Sequence, residues 1–459
     1  MYKKNKVMSE GKIIVGLDIG TTKVACMVGK KSENGKIEIL GYGKSVSTGV
    51  KRGVVTNIFE TVDAIKKAVK EASDQSGVNI YTVNVGIAGQ HIKSLQHRGV
   101  LMRDNNETEI TAEELEKMRH DTYKINMVPG EEIIGVHRQE TYVDGEIADN
   151  PVGMLGSKIE ANFHVIIGQT AAAKNIIKCI ESAGLEMDNM ILEPIASAEA
   201  VLAEDEMEAG VALVDIGGGT TDIAIFKDNK IYHTAVIPFG GNIITDDICT
   251  GCSIIRHYAE DVKVKFGSAL ASENRDDEVV SIPGIRGRAG KEISFKNLAN
   301  IIQARLDEIF EIVNVEIQKV NADKKLIAGI VLTGGGALMK HIQMLAEFRT
   351  GMPVRIGHPN EHLTENTHKE LASPMYSTGI GLVIEGIART ELSEMLQQEK
   401  ANKAPVEKAV IVTESAEPAV SEPAEKEVKS KEPKKPRKKF DFTKIIDTFG
   451  SIFTSDDIK

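Results

Sequence analysis

Apolar and polar positions along this chain follow two periods in turn. Short unbroken apolar runs, Ile13 to Leu17, Val24 to Val28, Val211 to Val214 and Ile223 to Phe226, have the length and branched content of buried strands. Between them, at Phe59–Ser73, Ala171–Ala183, Ile195–Ala203 and Phe295–Val320, apolar residues recur every three or four positions, which gives a helix one buried face. In the last of these, Leu298, Ile301, Ile302, Leu306, Ile309, Phe310 and Val313 form a continuous stripe that reads as core. Strand-like and helix-like segments alternate over residues 11–395, so the pattern predicts an α/β architecture. Residues 84–165 read as an inserted subdomain of mixed helix and strand, and residues 243–320 as a second insertion.

The pattern stops after Leu396. Residues 397–436 hold five of the thirteen prolines, much Glu, Lys and Ala, and no glycine or aromatic; this is the composition of a disordered linker. Roughly 40 such residues span on the order of 35 Å as a random coil. Apolar character returns at Phe440, with Phe442, Ile445, Ile446, Phe449 and Phe453 at i, i+3, i+4, i+7 and i+11 and Ile452 beside them. These six occupy one face about 120° wide, which predicts an amphipathic helix over 438–455. Such a face could dock on the chain's own body, but that would need no long polar tether. The run Lys431 to Lys444 carries seven Lys/Arg against Glu432 and Asp441, a local +5, and favours an anionic lipid surface.

Two of the strand pairs are joined by turns that nearly repeat each other, Asp18-Ile19-Gly20-Thr21-Thr22-Lys23 and Asp215-Ile216-Gly217-Gly218-Gly219-Thr220-Thr221-Asp222. Each reads as a β-hairpin. Glycines let backbone N–H groups approach phosphate oxygens, threonine hydroxyls add donors, and an Asp can hold a metal ion through its water shell. One copy alone could be an ordinary glycine-rich turn. Two copies in the same strand–turn–strand setting suggest a duplicated domain that closes on ATP from both sides. A third cluster, Ile330-Val331-Leu332-Thr333-Gly334-Gly335-Gly336-Ala337, reads as strand, turn and helix, where a helix N-terminus could face phosphate or a flat base.

Composition narrows the classes. A net charge of −11 disfavours nucleic acid as a partner of the main body. No run of 18 apolar residues occurs, so no membrane-spanning helix is expected. Cys26, Cys179, Cys249 and Cys252 are the only cysteines, which suits a reducing compartment. The Cys249-Thr250-Gly251-Cys252 spacing has no second Cys or His pair near it and reads as part of a packed helix.

The three glycine clusters resemble the phosphate-1, phosphate-2 and adenosine motifs of the actin/DnaK/sugar-kinase superfamily, and Leu192-Glu193-Pro194-Ile195-Ala196-Ser197-Ala198 resembles its first connecting helix. Within that superfamily the chain resembles the FtsA family of cell-division proteins. The residues that carry this are Val143-Asp144-Gly145 running to Asn150-Pro151-Val152-Gly153-Met154-Leu155-Gly156, then Glu160 and His164, then Ile282 to Arg288 and Ile301-Ile302-Gln303-Ala304-Arg305, with the tethered tail helix.

The resemblance implies an actin-like duplicated ATPase fold, two lobes around a nucleotide cleft. Lobe 1 would comprise 11–83, 166–195 and 375–396, and lobe 2 would comprise 196–242 and 321–374. It implies ATP with Mg²⁺, the metal oriented through water by Asp18 and Asp215. Gly20, Thr21, Thr22 and Lys23 would cradle phosphates with Gly217, Gly218, Gly219, Thr220 and Thr221. Gly334, Gly335 and Gly336 would pack near the adenosine, and Glu260 and Lys263 near the ribose. Glu193 would polarise an attacking water, or simply cap its helix. Expected partners are other copies in a filament, the FtsZ C-terminal tail on 243–320, other division proteins and anionic lipid at the cytoplasmic face of the cell membrane. Phe442, Ile445, Ile446, Phe449, Ile452 and Phe453 would enter the lipid. Alternatives within the superfamily are a pilus-assembly adaptor, a small-molecule kinase and a chaperone; the last would need a peptide-binding domain that residues 397–459 are too short and polar to build.

Overall fold

The structure, a computed structural model, describes residues 11–284, 289–319, 326–365 and 367–403, with side chains through 395. The chain opens with strands β1 (Ile14–Ile19), β2 (Lys23–Lys31) and β3 (Ile37–Val46), then a two-strand hairpin β4 (Val50–Lys51) and β5 (Val54–Val55), helix α1 (Ile58–Ser76) and β6 (Thr82–Ile87). A subdomain follows: β7 (Lys93–Met102), α2 (Ala112–Thr122), β8 (Glu131–Val143), β9 (Glu146–Ile147) and β10 (Lys158–Gln169). The chain then returns through α3 (Thr170–Ala183) and β11 (Glu186–Leu192). Sheet one has the order β11-β6-β1-β2-β3, and the subdomain's own sheet has β7-β10-β8-β9.

The second half repeats the plan. Helices α4 (Glu193–Val201) and α5 (Glu204–Ala209) lead to β12 (Val211–Ile216), β13 (Thr221–Lys227) and β14 (Lys230–Ile237). Helices α6 (Gly241–Cys252) and α7 (Arg256–Phe266), the pair β15 (Val279–Ile282) and β16 (Lys291–Ser294), and the long α8 (Phe295–Gln318) precede β17 (Gly329–Thr333), α9 (Ile342–Thr350), β18 (Val354–Ile356) and α10 (Ser377–Lys403). The second sheet runs β14-β13-β12-β17-β18. In both sheets the first three strands are antiparallel and the rest run parallel to the first. Position for position β1 corresponds to β12 and β6 to β17. The duplication expected from two turns therefore extends through whole sheets.

Two buried clusters hold the sheets, and the first spans both, since Val211, Leu213, Ala224, Phe226 and Val331 of the second sheet join the core of the first. Leu17, Met27, Ile65 and Val85 are fully buried in the first; Val214, Ile225, Phe310 and Leu332 are fully buried in the second. The helices of 243–320 share that second core rather than forming a separate one: Ile248 of α6, Val262 of α7 and Leu306 of α8 join the same cluster. The stripe on α8 is buried as its spacing predicts, apart from Ile301, which is half-buried at its edge.

Two expected boundaries move. Strand β6 pairs in parallel with β1, Gly16 opposite Asn84 and Leu17 opposite Val85, so a boundary at 84 cuts through a core strand. Its apolar residues, Val83, Val85 and Ile87, fill the first core. Helix α10 continues to Lys403, so 397–403 is helical rather than linker; Gln, Glu, Lys and Ala are good helix formers and carry the last turns. The rest of the expected linker and the helix at 438–455 lie outside the described residues.

Helices α4 and α10 cross between the lobes. An ideal Cβ on Gly381 of α10 would lie 1.7 Å from the Ala196 carbonyl oxygen of α4, so only glycine permits this approach. Ala196, Ile191 and Leu382 pack together there, fully buried. Among the described residues no helix is long and apolar enough to cross a membrane.

Candidate functional site

The two hairpins meet tip to tip. In the first, Ile19 pairs with Val24 and Asp18 with Ala25, leaving Gly20 to Lys23 as the loop. In the second, Ile216 pairs with Thr221 and Asp215 with Asp222, leaving Gly217 to Thr220. The loops are the same length and superpose as Gly-Thr-Thr-Lys on Gly-Gly-Gly-Thr. They touch: a Cβ on Gly218 would fall 1.9 Å from Thr22 Oγ1, and one on Gly219 would fall 2.5 Å from Thr21 Oγ1. The second loop is pinned to the start of α6 by Gly241 N–H donating to the Gly217 carbonyl and Asn242 N–H to the Gly218 carbonyl, at 2.9 and 2.8 Å.

Between the loops lies a cleft of about 330 Å³. It gathers Asp18, Gly20, Thr21, Thr22, Lys23, Glu193, Asp215, Gly217, Gly218, Gly219, Thr220, Glu260, Lys263, Gly334, Gly335 and Gly336, every candidate from the described sequence except Thr221. The pairing register explains that exception. Thr221 is the first residue of β13 and the counterpart of Val24, not of a loop threonine; it is fully buried and donates to the Phe239 carbonyl. The glycines at 334–336 also differ in detail: they open a single 3-10 turn, Gly335–Leu338, and α9 starts only at Ile342. The shelf is therefore backbone rather than an α-helix N-terminus. Gly334 has φ 82°, and its Cβ would fall 2.2 Å from Asp215 Oδ1.

Lys263 Nζ donates to the Gly241 carbonyl, Thr245 Oγ1 and Glu260 Oε2 at 2.9, 2.8 and 2.8 Å, which fixes the Glu260–Lys263 pair on the cleft wall. Ile244, Val264, Leu306, Leu338 and Met339 line the same end, giving an apolar wall beside a polar pair, as a base and sugar require.

The charges at the other end are unbalanced. Asp18, Glu193, Asp215 and Asp222 face the single cation Lys23. Burial raises Asp18 to about 6, with Lys23 pulling it down and Asp215 pushing it up. Burial, then Asp215, raises Asp222 to about 7. Glu193 is raised well above the usual carboxylate range by burial and then by Asp18, Asp222 and Asp215. Burial lowers Lys23 to about 8; its ammonium donates to the Met375 carbonyl and lies 3.6 Å from the centre of the Tyr376 ring.

This donor set fits a hydrated divalent cation. Asp222 Oδ1 is buried without a partner, and the excess of carboxylate invites positive charge. Among the described residues no three His, Cys, Asp or Glu converge closely enough to hold a metal directly. The glycine loops, whose closest approaches exclude a Cβ, fit phosphate.

Sequence reasoning missed four contributors. Ser197 Oγ of α4 donates to Asp215 Oδ2 at 2.8 Å, and Thr378 Oγ1 of α10 reaches the same oxygen at 3.4 Å. Asp222 closes the acidic group and Asn242 lines the cleft. Ser197 and Asp222 stand inside motifs that were read for other residues. Thr378 carries no local signal, because only the helix crossing brings it to Asp215. Cys249 and Cys252 are free thiols at the end of α6, away from the cleft lining.

Comparison with known proteins gives concordant results. A family model described as "Cell division protein FtsA" matches residues 212–381, and one described as "SHS2 domain inserted in FTSA" matches 89–167. The chain is 40% identical over 384 residues to the cell division protein FtsA of Pseudomonas aeruginosa, covering 83% of this chain and 91% of that protein. It is 35% identical over 385 residues to that of Escherichia coli, covering 82% and 90%. Among solved structures it is similar to a PilM-PilN type IV pilus biogenesis complex (TM-score 0.58, 16% identity, 82% of this chain and 98% of that one). It is also similar to MreB 5 of Spiroplasma citri bound to AMPPNP (0.50, 16%, 86% and 100%).

Proposed function

The chain belongs to the FtsA family of cell-division proteins and has the actin-like ATPase fold, and from that premise we propose that it is an ATP-dependent, membrane-bound filament protein that anchors the FtsZ ring. The observation that carries this reading is the single cleft closed by two matched hairpin loops. Asp18 and Asp215 would hold the waters of Mg²⁺, the glycine loops and Lys23 the phosphates, and Gly334–Gly336 with Glu260 and Lys263 the adenosine. Bound Mg²⁺ and ATP supply an electrophilic phosphorus and positive charge that neutralises the acidic cluster. Asp18 and Asp222 would then ionise, and Glu193 would be free to orient a water. Because the two loops come from different lobes, nucleotide would set lobe closure and so the geometry for assembly into filaments.

The tail supplies the membrane contact in this reading. Six apolar side chains offer at most ~1.5–3 kcal/mol each on full burial, and partial insertion with helix ordering removes most of that. Basic residues beside anionic lipid add ~1 kcal/mol apiece. One tail binds weakly and a filament of many binds by avidity. The 243–320 region would receive the FtsZ C-terminal tail, and other division proteins would dock on the inserted subdomain.

The test is co-sedimentation with anionic vesicles, with and without ATP, of the full chain and of a chain lacking 438–459. The full chain should pellet, more so with ATP, and the truncated chain should stay in solution. A full chain that ignores the vesicles, or a truncated chain that binds equally well, overturns the reading.

A further inference from the structure

The hairpin β4–β5 closes on Arg52 and Gly53, with Val50 opposite Val55 and Lys51 opposite Val54. Both turn residues have positive φ, 50° and 72°, the two-residue turn that normally takes Asn or Gly first. An arginine is held there in a conformation that its side chain disfavours. The tip lies against both phosphate loops. Gly53 N–H donates to Thr21 Oγ1 at 3.1 Å, and a Cβ on Gly219 would fall 3.0 Å from the Arg52 Cα. The Arg52 side chain is exposed and makes no hydrogen bond or ion pair with a described residue; its backbone carbonyl accepts from the Gln90 N–H. Its backbone thus stands where the two loops meet, and its exposed side chain, outside the cleft lining that Gly53 joins, is a cation beside loops that themselves contribute Lys23.

The position along the loop indicates which phosphate it meets. The adenosine shelf touches the start of the second loop, where Gly334 crowds Asp215 and Ile216. Arg52 touches Gly219, on the side away from that shelf. We propose that Arg52 is a binding residue for the terminal phosphate, which lets the chain distinguish a nucleoside triphosphate from a diphosphate. This rests on the nucleotide reading above. A guanidinium suits the task, because its planar fork matches phosphate oxygens and it stays charged at any working pH. The same tip also reaches the entry to the inserted subdomain. Gln90 N–H donates to the Arg52 carbonyl, and a Cβ on Gly53 would fall 2.5 Å from the Gly89 Cα. A phosphate drawing on Arg52 would therefore act on a tip that is bonded to the turn leading into the subdomain.

The experiment compares ATP and ADP binding to the full chain by calorimetry, in magnesium, for wild type, Arg52→Gly and Arg52→Lys. Loss of a charge-assisted contact should weaken ATP binding of Arg52→Gly roughly ten- to a hundredfold, with ADP within about twofold of wild type. Arg52→Lys should recover part of the difference. Glycine relieves the positive φ, so the thermal midpoint of Arg52→Gly should hold or rise, which excludes misfolding as the cause. A wild-type chain whose ATP-to-ADP ratio survives in Arg52→Gly overturns this inference alone. A wild-type chain that binds neither nucleotide overturns the nucleotide reading and this inference with it.

Discussion

Replacing Gly381 with alanine sets two effects of opposite sign against each other. Within a helix, alanine is favoured over glycine by about 1 kcal/mol, so on propensity alone the change stabilises α10. The new methyl, however, would lie 1.7 Å from the Ala196 carbonyl oxygen and 2.3 Å from its carbon. Carbon and carbonyl oxygen approach no closer than about 3.3 Å, so α4 and α10 must part by about 1.5 Å at their crossing. The obstacle is helix backbone and cannot rotate away. Overpacking of this kind costs up to about 3 kcal/mol, so Gly381→Ala should lose about 2 kcal/mol net. The separation also breaks the Ser197–Thr378 hydroxyl contact of 2.9 Å that braces Asp215, so nucleotide affinity should fall along with stability. Urea midpoints of the full chain and nucleotide calorimetry measure both. Gly251→Ala, in α6, is the control: its methyl would meet only the Ile301 side chain, Cδ1 at 2.7 Å and Cγ1 at 3.4 Å, a side-chain end that can move. If Gly381→Ala raises the midpoint, the crossing is looser than argued and the joint does not depend on it.

Three further outcomes follow from the electrostatics. Glu193→Gln replaces a carboxyl whose ionisation is opposed by burial and then by Asp18, Asp222 and Asp215 with a neutral amide of the same shape, so the thermal midpoint of the nucleotide-free chain should hold or rise while phosphate release falls; unchanged release would leave Glu193 a purely structural carboxyl. Asp18 and Asp222 rise from 3.8 to about 6 and about 7 in the fold. The folded state therefore binds more protons than the unfolded one in that window, and these groups lower stability as pH rises from 4 to 7. Binding of preformed Mg·ATP at pH 6.5 should accordingly release protons, read as heats that differ between buffers of different ionisation enthalpy; equal heats refute it. His137 and His164 have the opposite sign. Burial lowers both from 6.5 to about 3, so their contribution is lost as pH falls through that range. His164 Nε2 bonds Thr234 Oγ1 of β14 at 2.9 Å, so acid should loosen the subdomain from the second lobe, seen as faster amide exchange in β14, and His164→Asn should blunt the effect.

Much of this fold could be read from the chain because buried strands and helix stripes leave periodic signatures. The stripe from Leu298 to Val313 is buried where the pattern predicts except for the half-buried Ile301, and so are the runs flanking both Asp-Ile-Gly turns except for Ile13, which is exposed. The site was legible wherever glycine was needed for close approach. Two kinds of information were not. Register was one: the repeated Thr-Thr pair suggests that Thr221 matches Thr22, but strand pairing makes Thr221 the partner of Ile216 and turns it into the core. Tertiary proximity was the other. Thr378 and Gly53 sit far from any motif in sequence, and only the helix crossing and the hairpin tip bring them to the cleft. The limit of the inserted subdomain failed for a related reason, since β6 reads the same whether it joins one sheet or the next.

The two halves have diverged where their chemistry meets. With the loops aligned by register, Lys23 of the first stands where the second has Thr220, and Asp222 of the second stands where the first has Ala25. The first lobe thus supplies the loop cation and the second supplies the extra carboxylate, whose buried Oδ1 lacks a partner. Neither hairpin by itself repeats the other's charge, so under the proposed nucleotide reading no single lobe would carry a complete site for a metal-bound triphosphate. Completion requires the loops to stay in contact, and their contact depends on the angle at which α4 and α10 cross. Asp215 is held from both of those helices, by Ser197 and Thr378. Any change in its charge or its solvation is therefore felt directly at the joint between the lobes. Under the proposed reading, a ligand that needs the cation of one half and the extra carboxylate of the other would tie its binding to closure of the joint, which is the property an assembly switch would need.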